Sequence, residues 1–189
     1  MTAKRRRKAV RRRELTHVVG GSRGPESRMV DVGKKPVTAR SALARASVRF
    51  PPGLLERVPG LLEHVLGVGG PKGPVTEVAR AAGVLAAKRT GELIPMCHPL
   101  GLDHVEIRFE PDPEHGSARL EVLCRAANRG RTGVEMEALV GAAIAALTVY
   151  DMVKGLDHGI TIERLELLEK RGGRSGVWRK ADGNDGHGR

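Results

Sequence analysis

The chain has 189 residues, of which 40% are hydrophobic, and a formal net charge of +11 at pH 7. This length and apolar content suit one domain with its own core, and no apolar run reaches the roughly 20 residues of a membrane span. The basic N-terminus lacks the apolar segment of a secretory signal, and two cysteines are too few for a disulfide framework. We therefore expect a cytoplasmic protein with two free thiols.

The positive charge is concentrated at the two ends of the chain. Residues 1–13 hold eight basic residues and no acidic one, residues 171–189 hold a further excess of three, and the intervening chain is neutral. Such runs are usually solvated and disordered. We therefore assign residues 1–14 to a disordered basic arm, 15–176 to a single α+β domain and 177–189 to a flexible tail.

The first predicted elements are a strand and several helices. Residues 20–25 indicate a flexible loop, and apolar residues alternate with polar ones over 42–50, as in a half-buried strand. Apolar residues return at helical spacing over 54–65, but the Pro-Gly pair at 59–60 favours two short helices. After a Gly-rich turn, the Ala-rich segment 75–88 predicts another helix.

The second half of the chain predicts a hairpin, a long helix and a last strand. Alternation over 105–109 and 120–124, with turn residues between them, indicates a β-hairpin. An apolar face over 134–156 predicts the central helix, and the apolar phase of strand 160–167 slips by one residue, as at a β-bulge. The order β, helices, β, β, α, β is that of a ferredoxin-like split βαβ fold, with helices on one face of an antiparallel sheet.

A loop that contains Met96, Cys97 and His98 lies between two prolines, Pro95 and Pro99. The prolines disfavour a helix and favour a stiff, extended loop that presents side chains. Adjacent side chains in such a segment point to opposite sides, and no CxxC or HxxxH partner is present. We therefore expect no metal site.

Asp151 and Lys154 are three residues apart near the end of the central helix, so their side chains share one face. They fit either a surface ion pair or an acid/base pair. Lys72 lies in the Gly-rich segment 69–73, whose backbone could approach a phosphate. The Gly-Lys-Ser/Thr ending of a P-loop is absent, so an exposed turn lysine is the simpler explanation.

Six segments in this order resemble the cyclic pyranopterin monophosphate synthase family of molybdenum cofactor biosynthesis (molybdenum cofactor biosynthesis protein C). The segments are residues 15–17, 29–32, 93–100, 133–137, 150–154 and 167–176. The resemblance implies a lyase that needs no cofactor and converts 3',8-cyclo-7,8-dihydro-GTP to cyclic pyranopterin monophosphate and pyrophosphate. It also implies a homohexamer, a trimer of dimers with active sites at subunit interfaces.

The same resemblance implies roles for individual residues. Asp151 and Lys154 correspond to the catalytic pair, and Lys72 to a phosphate-binding or acid/base lysine. The substrate-binding positions are Arg40, Met96, Cys97, His98, Glu135, Met136 and Lys170. Arg131 stands where family members commonly have lysine, and because arginine is a poor proton donor we expect no catalytic role there.

Glu135 also has a structural explanation, in which Thr132 caps the central helix and Glu135 completes a capping box. Glu135 and Asp151 are sixteen residues apart on that helix, which is about 24 Å at 1.5 Å per residue. One compact substrate cannot easily contact both. We therefore expect a neighbouring subunit to complete the pocket.

Two other functions stay open on the sequence alone. An RNA-binding module would use the basic arm, as split βαβ sheets often do, but the chain has only four aromatic residues on which bases could stack. A non-catalytic nucleotide sensor would retain the pocket without the chemistry, but Lys72, Asp151 and Lys154 are all present. We therefore favour an enzyme whose partner is a small-molecule substrate over one that binds nucleic acid.

Overall fold

The computed structural model describes residues 18–21, 24–67, 73–112, 114 and 116–181. The predicted basic arm, residues 1–14, and Lys72 lie outside these residues. The described elements are, in chain order, β1 (Val18–Gly21), β2 (Gly24–Ser27), β3 (Thr38–Arg49), α1 (Pro52–Arg57), α2 (Leu61–Leu66), α3 (Val75–Lys88), α4 (Thr90–Leu93), β4 (His104–Asp112), β5 (Gly116–Gly130), α5 (Glu135–Val153), β6 (Thr161–Arg171) and β7 (Trp178–Arg179).

The main sheet has the strand order β4-β5-β3-β6-β7, and every neighbouring pair is antiparallel. Its first four strands have the order of a ferredoxin-like split βαβ fold, because the hairpin β4–β5 lies beside β3 and the last long strand lies on the other side of β3. Helices α3 and α5 contact each other and the sheet. The predicted α+β class and antiparallel sheet are confirmed.

The core lies between the sheet and these helices. Alternate residues of β3 are fully buried on this face, and so are their register partners on β5, such as Cys124 opposite Ala44 and Val122 opposite Ala46. Helix α5 adds a buried stripe of small residues at helical spacing: Ala138, Gly141, Ala142, Ala145 and Ala146. Small side chains on both surfaces allow the helix to lie close to the strands.

Helices α3 and α5 cross where each has a glycine. A β-carbon on Gly83 would lie 2.9 Å from the carbonyl oxygen of Gly141 and 3.0 Å from the side chains of Ala145 and Ile107. A β-carbon on Gly141 would lie 2.6 Å from Sγ of Cys124. The two glycines therefore set the distance between the helices, and through them the position of α5 over the sheet.

By length and composition alone, α5 could cross a membrane. The core helix of a soluble protein passes the same test, and α5 contacts α3, β3, β5 and β6. We interpret it as the core helix of the domain.

The other face of the sheet carries a network of ion pairs. Arg45 bonds Glu166, Arg49 lies 2.7 Å from Glu163, and the buried Glu121 accepts hydrogen bonds of 2.8 and 2.9 Å from the hydroxyl of Ser47. Burial raises the pKa of Glu121, while Ser47 and Arg45 act in the opposite direction. An antiparallel sheet covered on one side by helices typically has such a polar second face.

Several local predictions are corrected. Residues 20–25 do not form a loop throughout, because β1 and β2 pair as a hairpin, with Val18 opposite Ser27. The central helix is shorter than predicted and spans Glu135–Val153. The predicted bulge in β6 is confirmed by two register shifts against β3. Residues 178–179, assigned from sequence to the C-terminal tail, form β7 on the edge of β6.

Substitution of Gly83 by alanine tests the close helix crossing. An alanine normally stabilises a helix by about 1 kcal/mol relative to glycine, but here it has to displace a backbone carbonyl, at a cost of about 1–3 kcal/mol. We expect Gly83→Ala to lower the free energy of unfolding in urea. The control Gly53→Ala, whose β-carbon lies 3.5 Å from a flexible arginine side chain, should leave stability unchanged or raise it. Equal stabilisation by both substitutions would contradict a tight crossing.

Candidate active site

A pocket of about 750 Å³ lies where five segments converge. They are residues 30–35, the start of β3, the loop 96–100, the start of α5 with the residues before it, and the end of β6 with the turn after it. The volume is within the range of small-molecule sites. All the predicted substrate-contacting residues line the pocket: Arg40, Met96, Cys97, His98, Glu135, Met136 and Lys170.

The pocket lining is rich in cationic side chains. They are Lys35, Arg40, Arg131, Lys170 and Arg174, and among the described residues they share the pocket with two carboxylates, Glu135 and Glu137. Such an excess of positive charge attracts a polyanionic ligand. Lys35 was not predicted, because nothing in the local sequence distinguishes it from an ordinary exposed loop lysine.

Arg40 is held in place by backbone carbonyls. Its Nε donates a 3.0 Å hydrogen bond to the carbonyl oxygen of Gly130, and its Nη2 donates a 3.2 Å bond to that of Arg131. Arginine has five N–H donors in a planar fork. Arg40 also lines the pocket, where a phosphate could accept hydrogen bonds from its remaining donors bidentately.

Glu135 and Lys170 form an ion pair, with 2.9 Å between Oε1 and Nζ. This pair joins the first turn of α5 to β6. The alternative explanation of Glu135 as part of a capping box is wrong, because Val134 occupies the N-cap position and the structure has no side-chain cap there. The negative charge near the helix N-terminus still has a favourable interaction with the helix dipole.

Glu137 is a pocket residue that the sequence analysis missed. Its side chain is 4% exposed, and burial, with a smaller effect of the neighbouring Glu135 charge, raises its pKa to about 7. Burial and then the charge of Glu137 also raise the pKa of the Cys97 thiol. The Glu-x-Glu spacing at the start of α5 was the available signal, because both carboxylates lie within the first turn. A carboxyl that titrates near neutral pH can accept and donate protons.

The loop with Cys97 and His98 is more compact than predicted. The amide of Cys97 donates a 2.9 Å hydrogen bond to the carbonyl oxygen of Ile94, which closes a turn, so the expected extended conformation is wrong. A β-carbon on Gly91 would lie 2.9 Å from Cα of Pro99, which indicates that the loop packs against α4. Cys97 and Cys124 are both free thiols, as predicted.

Asp151 and Lys154 lie outside this pocket. They form an exposed ion pair, with 2.6 Å between Oδ1 and Nζ, and this hydrogen bond raises the pKa of Lys154. The rigid helix separates Asp151 from Glu135 by about 24 Å. Within one chain, the described structure therefore does not bring the predicted catalytic pair to the predicted substrate contacts.

The fold and the pocket define a small α+β protein with a concave, strongly cationic site suited to a phosphorylated small molecule. Residues 29–173 match the model of the MoaC family. The chain belongs to the MoaC family, which confirms the resemblance inferred from its motifs.

Curated relatives match nearly the whole chain. It is 47% identical to the cyclic pyranopterin monophosphate synthase of Chloroflexus aggregans, over 89% of this chain and 95% of that protein. It is 49% identical to the synthase of Thermomicrobium roseum, over 93% of this chain and 99% of that protein. It is 50% identical to the synthase of Desulforapulum autotrophicum, over 80% of this chain and 87% of that protein.

The pKa of Glu137 predicts a pH-dependent stability. Between about pH 4.5 and about pH 7 the folded protein retains a proton that the unfolded chain has lost, so the contribution of this group to stability falls as pH rises through that range. Glu137→Gln cannot lose a proton. We expect the stability of this variant relative to wild type to rise between pH 5 and pH 8, as measured by urea unfolding at one protein concentration.

The exposed Glu56 offers the control for this experiment. Glu56→Gln should show no comparable change in relative stability over the same pH range. A flat pH profile for Glu137→Gln would contradict the burial of an uncharged carboxyl in the pocket.

Proposed function

We propose that this protein is a cyclic pyranopterin monophosphate synthase, which converts 3',8-cyclo-7,8-dihydro-GTP to cyclic pyranopterin monophosphate and pyrophosphate. The observation that supports this most strongly is a pocket in which five cationic side chains and a buried carboxyl of raised pKa lie together. The substrate has the same two chemical parts, a triphosphate and a ring system that has to gain and lose protons. Relatives about half identical to this chain carry the name of this activity.

The cationic residues would bind the triphosphate and stabilise the leaving group. Closure of the cyclic phosphate forms a bond from a sugar hydroxyl to the α-phosphorus and breaks the bond from that phosphorus to pyrophosphate. Catalysis of such a transfer consists mainly of positioning and charge stabilisation. Lys170 lies near the end of β6 and Arg174 in the turn after it, next to Arg40 on β3, and these are the residues that we assign to the phosphates.

The ring system would lie between the first turn of α5 and the loop 96–98. Here Glu137 can exchange a proton near neutral pH, and His98 and Met136 would position the ring. Burial raises the pKa of the Cys97 thiol, which favours the neutral form, a weak hydrogen-bond donor.

We further propose that Asp151 and Lys154 of a second copy complete this pocket. An apolar stripe on the outer side of α5 supports the proposal. It runs from Met136, which is 36% exposed, through Ala143 to Leu147, which is 50% exposed. A helix that is apolar on all sides is normally buried on all sides, and a copy of the same helix provides a matching surface.

An antiparallel pairing of two α5 helices about a twofold axis near Ala143 would explain both the exposed apolar stripe and the separation of the predicted catalytic pair from the pocket. Glu135 and Asp151 are equally far from Ala143 along the chain, so the axis places Asp151 of one copy at the same height along the helix pair as Glu135 of the other. The interface is then isologous, as in most soluble dimers. We propose that three such dimers form the homohexamer, and that the enzyme works in the cytoplasm.

The proposed acid/base roles of Asp151 and Lys154 predict a loss of turnover. Removal of a general acid or base typically slows a reaction by about 10²–10⁴-fold. We expect purified wild-type protein to form the pterin product and pyrophosphate together from 3',8-cyclo-7,8-dihydro-GTP. Lys154→Ala and Asp151→Asn should lower kcat at least a hundredfold while retaining the wild-type fold and assembly.

A matched control for the loss of charge is Glu56→Gln, which lies on α1 outside the pocket and should retain full turnover. Substrate binding without product by wild-type protein would instead favour a nucleotide sensor. Unchanged kcat in both Asp151→Asn and Lys154→Ala would show that this pair is not catalytic.

A further inference from the structure

The turn after β6 packs directly against Arg40. Gly173 is in the left-handed region, with φ +68°, and a β-carbon built on it would overlap Nη1 of Arg40 and lie 3.1 Å from Cζ and 3.3 Å from Nη2, in front of the end-on edge of the guanidinium. The backbone of the turn thus occupies the space beside the guanidinium. A side chain at position 173 could be accommodated only if the guanidinium moved.

The other edge of the same guanidinium is fixed by the carbonyls of Gly130 and Arg131, at 3.0 and 3.2 Å. These two bonds use one N–H of Nε and one of Nη2. Of the five donors of an arginine, the two on Nη1 and the second on Nη2 have no hydrogen-bond partner among the described residues. The second N–H of Nη2 and one N–H of Nη1 form the end-on fork, which matches two oxygens of one phosphate group.

We propose that Gly173 is a positioning residue, which fixes the Arg40 guanidinium so that its end-on fork grips the terminal phosphate of a polyphosphate substrate. This inference rests on the proposed function and assigns a part of the substrate to one corner of the site. The carbonyls hold the edge formed by Nε and Nη2, and the absence of a β-carbon at Gly173, which would lie close to both Nη atoms, keeps the end-on edge clear. A binding side chain that is already held in one geometry loses less conformational entropy when the ligand binds than a mobile side chain does.

A β-carbon at position 173 would contact the Arg40 guanidinium, in addition to the strain of a left-handed backbone. The contact at Gly173 is with the far end of a flexible side chain, so an alanine there can be accommodated without a change of fold. At the neighbouring Gly172, a β-carbon would instead overlap the backbone carbonyl of Ala39 and disturb the sheet itself. Gly173→Ala is therefore the substitution that moves the guanidinium and leaves the strands in place.

Gly60 provides a matched control. It has almost the same backbone conformation, with φ +73°, but a β-carbon there would lie 3.7 Å from a carboxylate oxygen of Glu63, an ordinary contact. Gly60 lies before α2 and does not line the pocket. Gly60→Ala thus reproduces the backbone strain of Gly173→Ala without displacing Arg40.

The test measures pyrophosphate binding by titration calorimetry and steady-state turnover of 3',8-cyclo-7,8-dihydro-GTP. We expect Gly173→Ala to weaken pyrophosphate binding and to raise KM about ten- to a hundredfold, as for loss of a charge-assisted hydrogen-bonded contact, with kcat within about twofold of wild type. Gly60→Ala should change neither constant, although both substitutions lower stability. In an Arg40→Ala background, Gly173→Ala should have no further effect, because the two residues act as a unit.

Wild-type affinity of Gly173→Ala for pyrophosphate would overturn the inference, and so would an equal loss in Gly60→Ala or additive losses in the Arg40→Ala background. The calorimetric result does not depend on turnover. Wild-type protein that binds pyrophosphate but forms no product would therefore count against the proposed function and leave the role of Gly173 to be decided by the same titrations.

Discussion

The position and rigidity of α5 determine most of what this molecule can do. Its small-residue stripe and the crossing of Gly83 with Gly141 fix it against the sheet. Its first turn supplies Glu135 and Glu137 to the pocket, and its last turns carry Asp151 and Lys154 about 24 Å away. A hydrogen-bonded helix of this length cannot bend enough to bring its two ends to one small molecule. The separation of the two sets of residues is thus a property of the fold, and it is the reason that we propose a site made from two copies.

The pocket combines two electrostatic environments that suit different parts of one substrate. At the end of β6 and beside it on β3, the cationic side chains of Lys170 and Arg40 are half-buried, which favours phosphate. At the first turn of α5, burial favours the neutral form of Glu137 and of Cys97, so this side can exchange protons near neutral pH. The ion pair between Glu135 and Lys170 lies at the boundary and ties the helix to the strand. A reaction that rearranges a ring and expels pyrophosphate requires these two environments to lie close together.

Much of the fold follows from periodicity in the sequence. The spacing of apolar residues shows which side chains are buried, and the sheet and helices form so that these side chains face the core. This holds for the alternation in β3 and in the hairpin β4–β5, for the helical spacing in α3 and α5, and for the phase slip in β6. The hairpin of β1 and β2 and the cap of α5 were missed, because glycine-rich segments and a Thr-x-x-Glu spacing have several local solutions. The motifs predicted the residues that line the pocket. The contacts of Gly130 and Gly173 with Arg40 join residues far apart in the chain, and no local sequence pattern encodes them. The burial of Glu137 likewise depends on the loop that packs beside it.

The most direct test of a two-copy site is complementation between two inactive variants. Lys170→Ala alters the pocket and Asp151→Asn alters the pair, so chains of either kind alone should have little turnover. In a co-expressed mixture, half of the dimers combine one chain of each kind, and each of these has one site with an intact pocket and an intact pair. The account predicts recovery of about a quarter of wild-type activity per chain, as random pairing about a twofold axis requires. A mixture no more active than the average of its two components would contradict it.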